Sequence, residues 1–166
     1  MNSSAFRRNP FYCIIERILF WGNMKYVFLT DSFYHDYANC SEIEQKRYRP
    51  YIMLVIKIDN TIFALPMRSH IKHAFAFITD IENHCGVDYS KAVVINNEAE
   101  YIDSKQPKIR ENEFKALMGK EYILKKEFEK YLSDYKKSYK ANAKRHTKFY
   151  KFSTLQYFHK ELELEQ

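Results

Sequence analysis

The chain is expected to fold as α+β, with a small, mostly antiparallel sheet of roughly five or six strands followed by helices. Two observations carry that expectation. Residues 51–73 read YIMLVIKIDNTIFALPMRSHIKH, two runs rich in Ile, Val and Phe around an Asp59-Asn60 pair, which is a hairpin signal. From Pro107 onward the apolar residues change period, and Phe114, Leu117, Met118 and Tyr122 recur at helical spacing.

Taken in order, Lys25 to Thr30 (KYVFLT) reads as a first strand. Asp31 or Ser32 can cap a short helix through Phe33, Tyr34, Tyr37 and Ala38. Glu42 to Arg49 is charged and reads as a loop or as the end of that helix, broken at Arg49-Pro50 because the residue before proline avoids helical angles. Strands follow at 51–58 and 61–66, the latter stopping at Pro66. Ala74 to Thr79 alternates small and aromatic residues and reads as another strand. Asp80 to Tyr89 is polar with Gly86 and reads as a turn or short helix. Lys91 to Asn96 is a strand and Glu100 to Ile102 a short one. Past Gly119-Lys120 a longer helix carries Tyr122, Ile123, Phe128, Leu132 and Tyr135 inward. The basic stretch 136–151 ends it and enters a loop. A final helix over about 153–164, capped by Ser153 or Thr154, buries Leu155, Tyr157, Phe158 and Leu162.

At 166 residues, 46% of them hydrophobic, the chain suits one domain with a real core. Three Gly and four Pro argue against disorder. A formal charge of +6 with 14 Tyr and 13 Phe points to an anionic partner, nucleic acid before membrane, although a basic enzyme would share that charge. Cys13, Cys40 and Cys85 are odd in number and widely spaced, so neither a disulfide framework nor a zinc ribbon is expected, in keeping with reducing, cytoplasmic surroundings. The apolar segment from Phe11 to Trp21 is interrupted by Glu16 and Arg17 and is too short to span a bilayer. Residues 1–23 read as a non-native upstream extension or a disordered segment, with Met24 opening a single domain over 24–166. Deleting 1–23 is expected to leave fold and activity intact.

Chemistry concentrates just past Pro66, where Arg68, Ser69, His70, Lys72 and His73 fall within six residues. Such a set moves protons and holds a phosphate. RNA supplies its own nucleophile, the 2′-OH beside the scissile phosphate. An enzyme need only orient that group, take its proton, neutralise the phosphate and protonate the leaving 5′ oxygen. A His or Lys handles the protons, Arg or Lys holds the phosphoryl oxygens, and a serine hydroxyl bonds one of them. Arg68, Ser69, His70 and Lys72 cover these roles with no metal or cofactor. The plain alternative is a polar loop after a strand. His70 and His73 also have an HxxH spacing, but no third zinc ligand is in view. A GxSxG elbow, paired glycosidase carboxylates and a glycine-rich phosphate loop are all missing. Tyr34, Tyr48 and Tyr51 are candidates for RNA contact or for the core, and His73 is a candidate RNA contact. His35, His84 and His159 are expected on solvated faces. Lys136, Lys137, Lys140, Lys144 and Arg145 either grip RNA phosphates or form a solvated helix end that suits the helix dipole.

The segments FLTDSFYHDYANC, RPYIMLVIKIDNTIFALPMRSHIKHAFAFITD, GVDYSKAVVIN, IRENEFKALMGK and STLQYFHKEL resemble, in that order, the toxins of type III toxin–antitoxin systems. These are the ToxN/AbiQ superfamily, and the TenpN branch is the most similar. The resemblance runs from about residue 26 to 162 and leaves the first 23 residues unmatched. It implies a Kid/MazF-like fold, a twisted antiparallel sheet surrounded by helices. It implies a metal-independent endoribonuclease that leaves a 2′,3′-cyclic phosphate and a 5′-OH. It implies inhibition by a repeat-derived pseudoknot RNA antitoxin in closed toxin–RNA assemblies, and a role in growth arrest and abortive phage defence. The better-studied ToxN members carry a Thr-Ser-Pro-Lys type motif after the strand, with its serine and lysine essential. Ser69 matches its serine and Arg68 falls at its threonine. His70 and Ile71 replace the proline and lysine, so Lys72, one residue on, or His70 would take the lysine's role. Tyr34 sits where the family has a tyrosine after the first strand. The reading from another class is a non-catalytic RNA-binding module that uses the same cations and aromatics.

Overall fold

The computed structural model describes residues 25–45, 50–142 and 144–165, and for Lys144 and Arg145 the backbone alone. The readings placed on residues 1–24, on Cys13, on Tyr48, on the Arg49-Pro50 break and on the Lys144 and Arg145 side chains lie outside those described.

The described chain is α+β, with six strands in one antiparallel sheet and five α-helices among the described residues. β1 (Lys25–Val27) pairs with β2 (Met53–Ile58), which pairs with β3 (Thr61–Arg68). β5 (Cys85–Asp88) joins the far end of β3, and β4 (Ala76–Asp80) takes the outer edge beyond it. β6 (Val93–Val94) pairs with β3 at Phe63 and Ala64. The Asp59-Asn60 hairpin is as expected, with Ile58 opposite Thr61 and Asp59 at φ 51°.

The helices are α1 (Asp31–Asp36), α2 (Glu98–Tyr101), α3 (Glu111–Leu117), α4 (Glu121–Lys140) and α5 (Lys144–Tyr150). α4 turns Leu124, Phe128, Tyr131, Leu132 and Tyr135 inward at helical spacing. Its Phe128 ring meets Phe63 of β3 edge-on at 5.1 Å, which fastens helix to sheet. Each such ring buried contributes about 2–3 kcal/mol. Gly119, at φ 72°, makes the left-handed turn between α3 and α4.

Several elements differ from expectation. β3 does not stop at Pro66 but runs on to Arg68. The Met67 amide donates to Ile52 in the segment leading into β2, so the Pro66 nitrogen points to the other side of the strand. There it meets the break between the β6 ladder (Phe63, Ala64) and the β5 ladder (Met67, Arg68), where no donor is needed. β5 was expected as turn or helix; its Gly86 is required because a Cβ would lie 2.1 Å from the Phe77 carbonyl oxygen of β4. Glu98–Tyr101 is helical rather than extended, because the Asn97 side chain accepts from the Glu100 amide and caps it. Thr30, not Asp31 or Ser32, caps α1. Lys91–Asn96 yields only the two residues of β6, after a 3-10 turn at Tyr89–Lys91. The stretch after α4 forms α5, and the final helix contracts to a 3-10 turn at Thr154–Tyr157 capped by Ser153. Tyr122 and Ile123 face outward, at 72% and 44% exposure, because the inward stripe begins at Leu124.

Candidate active site

Arg68 is the last residue of β3, and the chain that follows turns out and comes back. His70 takes φ 59°, and its amide and that of Ile71 donate to the Asn83 and His84 carbonyls of the β4–β5 turn. Ile71 is buried and pins the middle of the loop. Ser69, His70 and Lys72 are left on the exposed rim. Ile71 is thus a core plug between the exposed Ser69 and His70 on one side and Lys72 on the other.

The two ends of this loop meet on one carboxylate. Arg68 Nη1 donates to Asp88 Oδ2 at 2.7 Å, and His73 Nε2 lies 3.5 Å from the same oxygen. Asp88 is fully buried at the end of β5. Its Oδ1 accepts from the Ser90 amide at 2.9 Å and from the Ser90 hydroxyl at 2.7 Å. Burial alone would raise the Asp88 carboxyl, but hydrogen bonds from His73, Ser90 and Arg68 outweigh it and hold the group below its usual range. Burial likewise works against the Arg68 charge, and Asp88 and Tyr51 more than compensate.

His73 has both ring nitrogens engaged. Nδ1 accepts from the Phe75 amide at 3.2 Å, so the neutral ring carries its proton on Nε2, facing Ser90 Oγ at 3.3 Å and Asp88. That fixes the orientation of the imidazole and leaves neither ring nitrogen without a partner. His70 differs: Nδ1 lies 3.1 Å from Ser69 Oγ, and Nε2 has no partner among the described residues. Of the two histidines, His70 is the one placed to exchange a proton with a substrate.

Beside Arg68 opens a pocket of about 150 Å³. Tyr34, Tyr51, Met53 and Val93 give it apolar walls, while Arg68, Lys91, Glu42 and Glu44 give it charge. Glu44 accepts from Arg68 Nη2 at 3.3 Å and from the Tyr51 hydroxyl. The Arg68 guanidinium carbon sits 5.7 Å from the Tyr51 ring centre. Tyr34 is only 6% exposed and belongs to the core as well as to the pocket wall. Burial, with Tyr51 nearby, pushes its hydroxyl up to about 12, so it stays protonated and can donate. Lys91, which sequence reasoning passed over, donates from Nζ to the Glu42 and Phe152 carbonyls. Burial and the neighbouring Arg68 lower its pKa.

The predicted residues thus fall into three places. Arg68 and His73 meet on Asp88, with Tyr34 and Tyr51 at the adjoining pocket. Ser69, His70 and Lys72 line the outer rim of the same loop. Lys136, Lys137 and Lys140 lie apart, in a groove of about 380 Å³ between α4 and the Asp59 hairpin tip. Asp88, Ser90 and Lys91 are the residues sequence reasoning missed. A signal was present in VDYSK, where Asp88, Ser90 and Lys91 stand within four residues just before the apolar run AVVI. His35 and His84 are exposed as expected. His159 is not on a solvated face: its side chain is 10% exposed, and Nε2 lies 2.7 Å from the Tyr135 hydroxyl.

Cys40 and Cys85 are free thiols. Among the described residues no three His, Cys, Asp or Glu side chains gather as a metal-holding group, and no helix is long and apolar enough to cross a membrane. No protein family, curated protein or solved structure matches the chain.

Proposed function

We propose that the protein is a metal-independent endoribonuclease toxin of the type III toxin–antitoxin kind, with a Kid/MazF-like sheet, held inactive by a pseudoknot RNA. The observation that carries the reading is the loop closed on Asp88. One buried carboxylate fixes a guanidinium beside a pocket while a serine, an imidazole and an ammonium stand exposed on the rim. The ordered segments that resemble the ToxN/AbiQ toxins support the same reading.

In this account Arg68, with N–H donors to spare beyond Asp88 and Glu44, takes a phosphoryl oxygen. Ser69 donates to another and orients the phosphate. The 2′ oxygen attacks phosphorus as its proton passes to a general base. The bond from phosphorus to the 5′ oxygen breaks, and that oxygen takes a proton from a general acid. His70 fills one of these two proton roles through Nε2. Lys72 stabilises the charge on the phosphate or fills the other proton role. Tyr34 donates from the pocket wall and helps place the substrate. The products are a 2′,3′-cyclic phosphate and a 5′-OH.

A second reading, a non-catalytic RNA-binding module, is favoured by one observation: Arg68 is already engaged by two carboxylates, Asp88 and Glu44. Incubating the purified protein with single-stranded RNA in EDTA separates the readings. Cleavage with cyclic phosphate ends is expected. Tight binding with the RNA left intact would favour the module, and cleavage abolished by the chelator would overturn the metal-independent mechanism.

A further inference from the structure

Two phenylalanines are exposed among the described residues, Phe149 at 45% and Phe152 at 63%. They stand at the end of α5 and just beyond it, three positions apart. Each ring is accompanied by the lysine before it. Lys148 Nζ is 5.5 Å from the Phe149 ring centre, and Lys151 Nζ is 4.6 Å from that of Phe152. Tyr122 shows the same pairing with Lys126 at 5.8 Å, but there Glu129 closes on the ammonium at 2.9 Å. No such closure is available around the phenylalanines from their own stretch, since the sequence has no acidic residue between Asp134 and Glu161. Among the described residues no carboxylate closes on Lys148 or Lys151, which leaves both ammonium groups open to an outside anion.

Both residues connect to the site, Phe152 through its backbone and Phe149 through its ring. The Phe152 carbonyl accepts from Lys91 Nζ at 2.8 Å, and Lys91 lines the pocket with Arg68. The Phe149 ring meets Phe75 edge-on at 6.5 Å, and Phe75 lies 6.1 Å from the His73 ring. Phe152 is therefore one residue removed from the pocket, through Lys91, and Phe149 is one ring removed from His73.

We infer that Phe149 and Phe152, with Lys148 and Lys151, form a stacking track for single-stranded RNA, holding nucleotides that flank the one at Arg68. This rests on the RNA reading of the site and adds to it the form of the substrate. Every base offers a π face, so exposed rings grip a single strand irrespective of sequence, while lysines beside them take the phosphates. In a duplex the base faces are already stacked, so the rings gain nothing there.

The test is fluorescence anisotropy with a labelled 2′-O-methyl single strand, which has no free 2′-OH and cannot be cut, and with the duplex of the same sequence. Phe149→Ala and Phe152→Ala should each weaken single-strand binding by about tenfold and leave duplex binding unchanged. Phe152→Trp should restore it. Both rings are largely outside the core, and an unchanged thermal melt confirms that the variants fold. Phe152→Ala and Phe149→Ala proteins that bind the single strand as tightly as wild type would overturn the track, as would equal losses on single strand and duplex. A wild-type protein that shows this pattern yet leaves all-ribose RNA uncut keeps the track and loses the endoribonuclease. One that cuts RNA while the alanine variants bind normally keeps the enzyme and loses the track. A wild-type protein that binds no single strand loses both.

Discussion

Arg68 Nη1 donates to Asp88 Oδ2 at 2.7 Å, and the carboxylate that receives it has no exposed surface. The pair joins the end of β3 to the end of β5 and fixes where the loop 69–73 leaves and returns. Asp88→Asn removes the charge but keeps the shape. Because it leaves a half-buried guanidinium without its inner partner, it should cost about 3 kcal/mol. Urea denaturation checks this, and a change below about 1 kcal/mol would mean that Asp88 does not anchor the loop.

The same carboxylate makes stability depend on pH. Its folded pKa lies below the unfolded value, so its contribution is fully present above the unfolded carboxyl pKa of about 4. It is lost as the pH falls through the lower, folded pKa. Wild type should therefore lose more stability than Asp88→Asn as the pH drops below about 4, and the gap between their melting temperatures should narrow. A gap that stays constant or widens on acidification would show that the carboxylate is not held ionised.

His70 offers a way to separate chemistry from folding. At φ 59° it occupies a conformation that glycine adopts freely, and its ring packs on nothing buried. His70→Gly should stay within about 1 kcal/mol of wild-type stability. If the ring carries a proton in catalysis, cleavage should fall by about 10²–10⁴-fold. Full activity in a folded His70→Gly protein would pass the proton role to Lys72.

The two described glycines should respond differently to alanine. At Gly119 there is open space, so only the left-handed backbone resists, at about 1–2 kcal/mol. At Gly86 a methyl group would meet the Phe77 carbonyl oxygen at 2.1 Å, and the backbone of β4 cannot swing aside as a side chain would. Gly86→Ala should cost about 3 kcal/mol or more and should loosen the turn that holds His70 and Ile71. Thermal melts of the two variants test the ranking.

Lys136, Lys137 and Lys140 line the groove at the hairpin tip, away from Arg68. If they hold RNA phosphates, each Lys→Gln should weaken single-strand binding across sequences and reduce the slope of log K against log salt by about 0.7. An unchanged slope would make them a solvated helix end.

The hairpin was legible because its two strands repeat β-branched residues on either side of a turn pair, a pattern that needs no knowledge of the rest of the chain. β5 was not, because Gly86 and Asp88 are poor strand formers that serve partners elsewhere: Gly86 the backbone of β4, and Asp88 a guanidinium 20 residues back. Pro66 reads as a stop until the neighbouring ladders are known to break beside it. The loop residues Arg68, Ser69, His70, Lys72 and His73 could be picked by type alone. Their division of labour could not, since it depends on Asp88 binding both ends of the loop and on Ile71 pointing inward.

We propose that the ribose hydroxyl breaks its own chain at a phosphate held over Ser69 and Arg68. The measurement closest to it is cleavage of a single-stranded RNA in EDTA beside the same strand with one 2′-deoxy nucleotide at the cut position. The all-ribose strand should be cut to a 2′,3′-cyclic phosphate and a 5′-OH by wild type but not by Ser69→Ala, and the 2′-deoxy strand should stay whole at that bond. A 2′-deoxy strand cut at the same rate, or a Ser69→Ala protein as active as wild type, would contradict it.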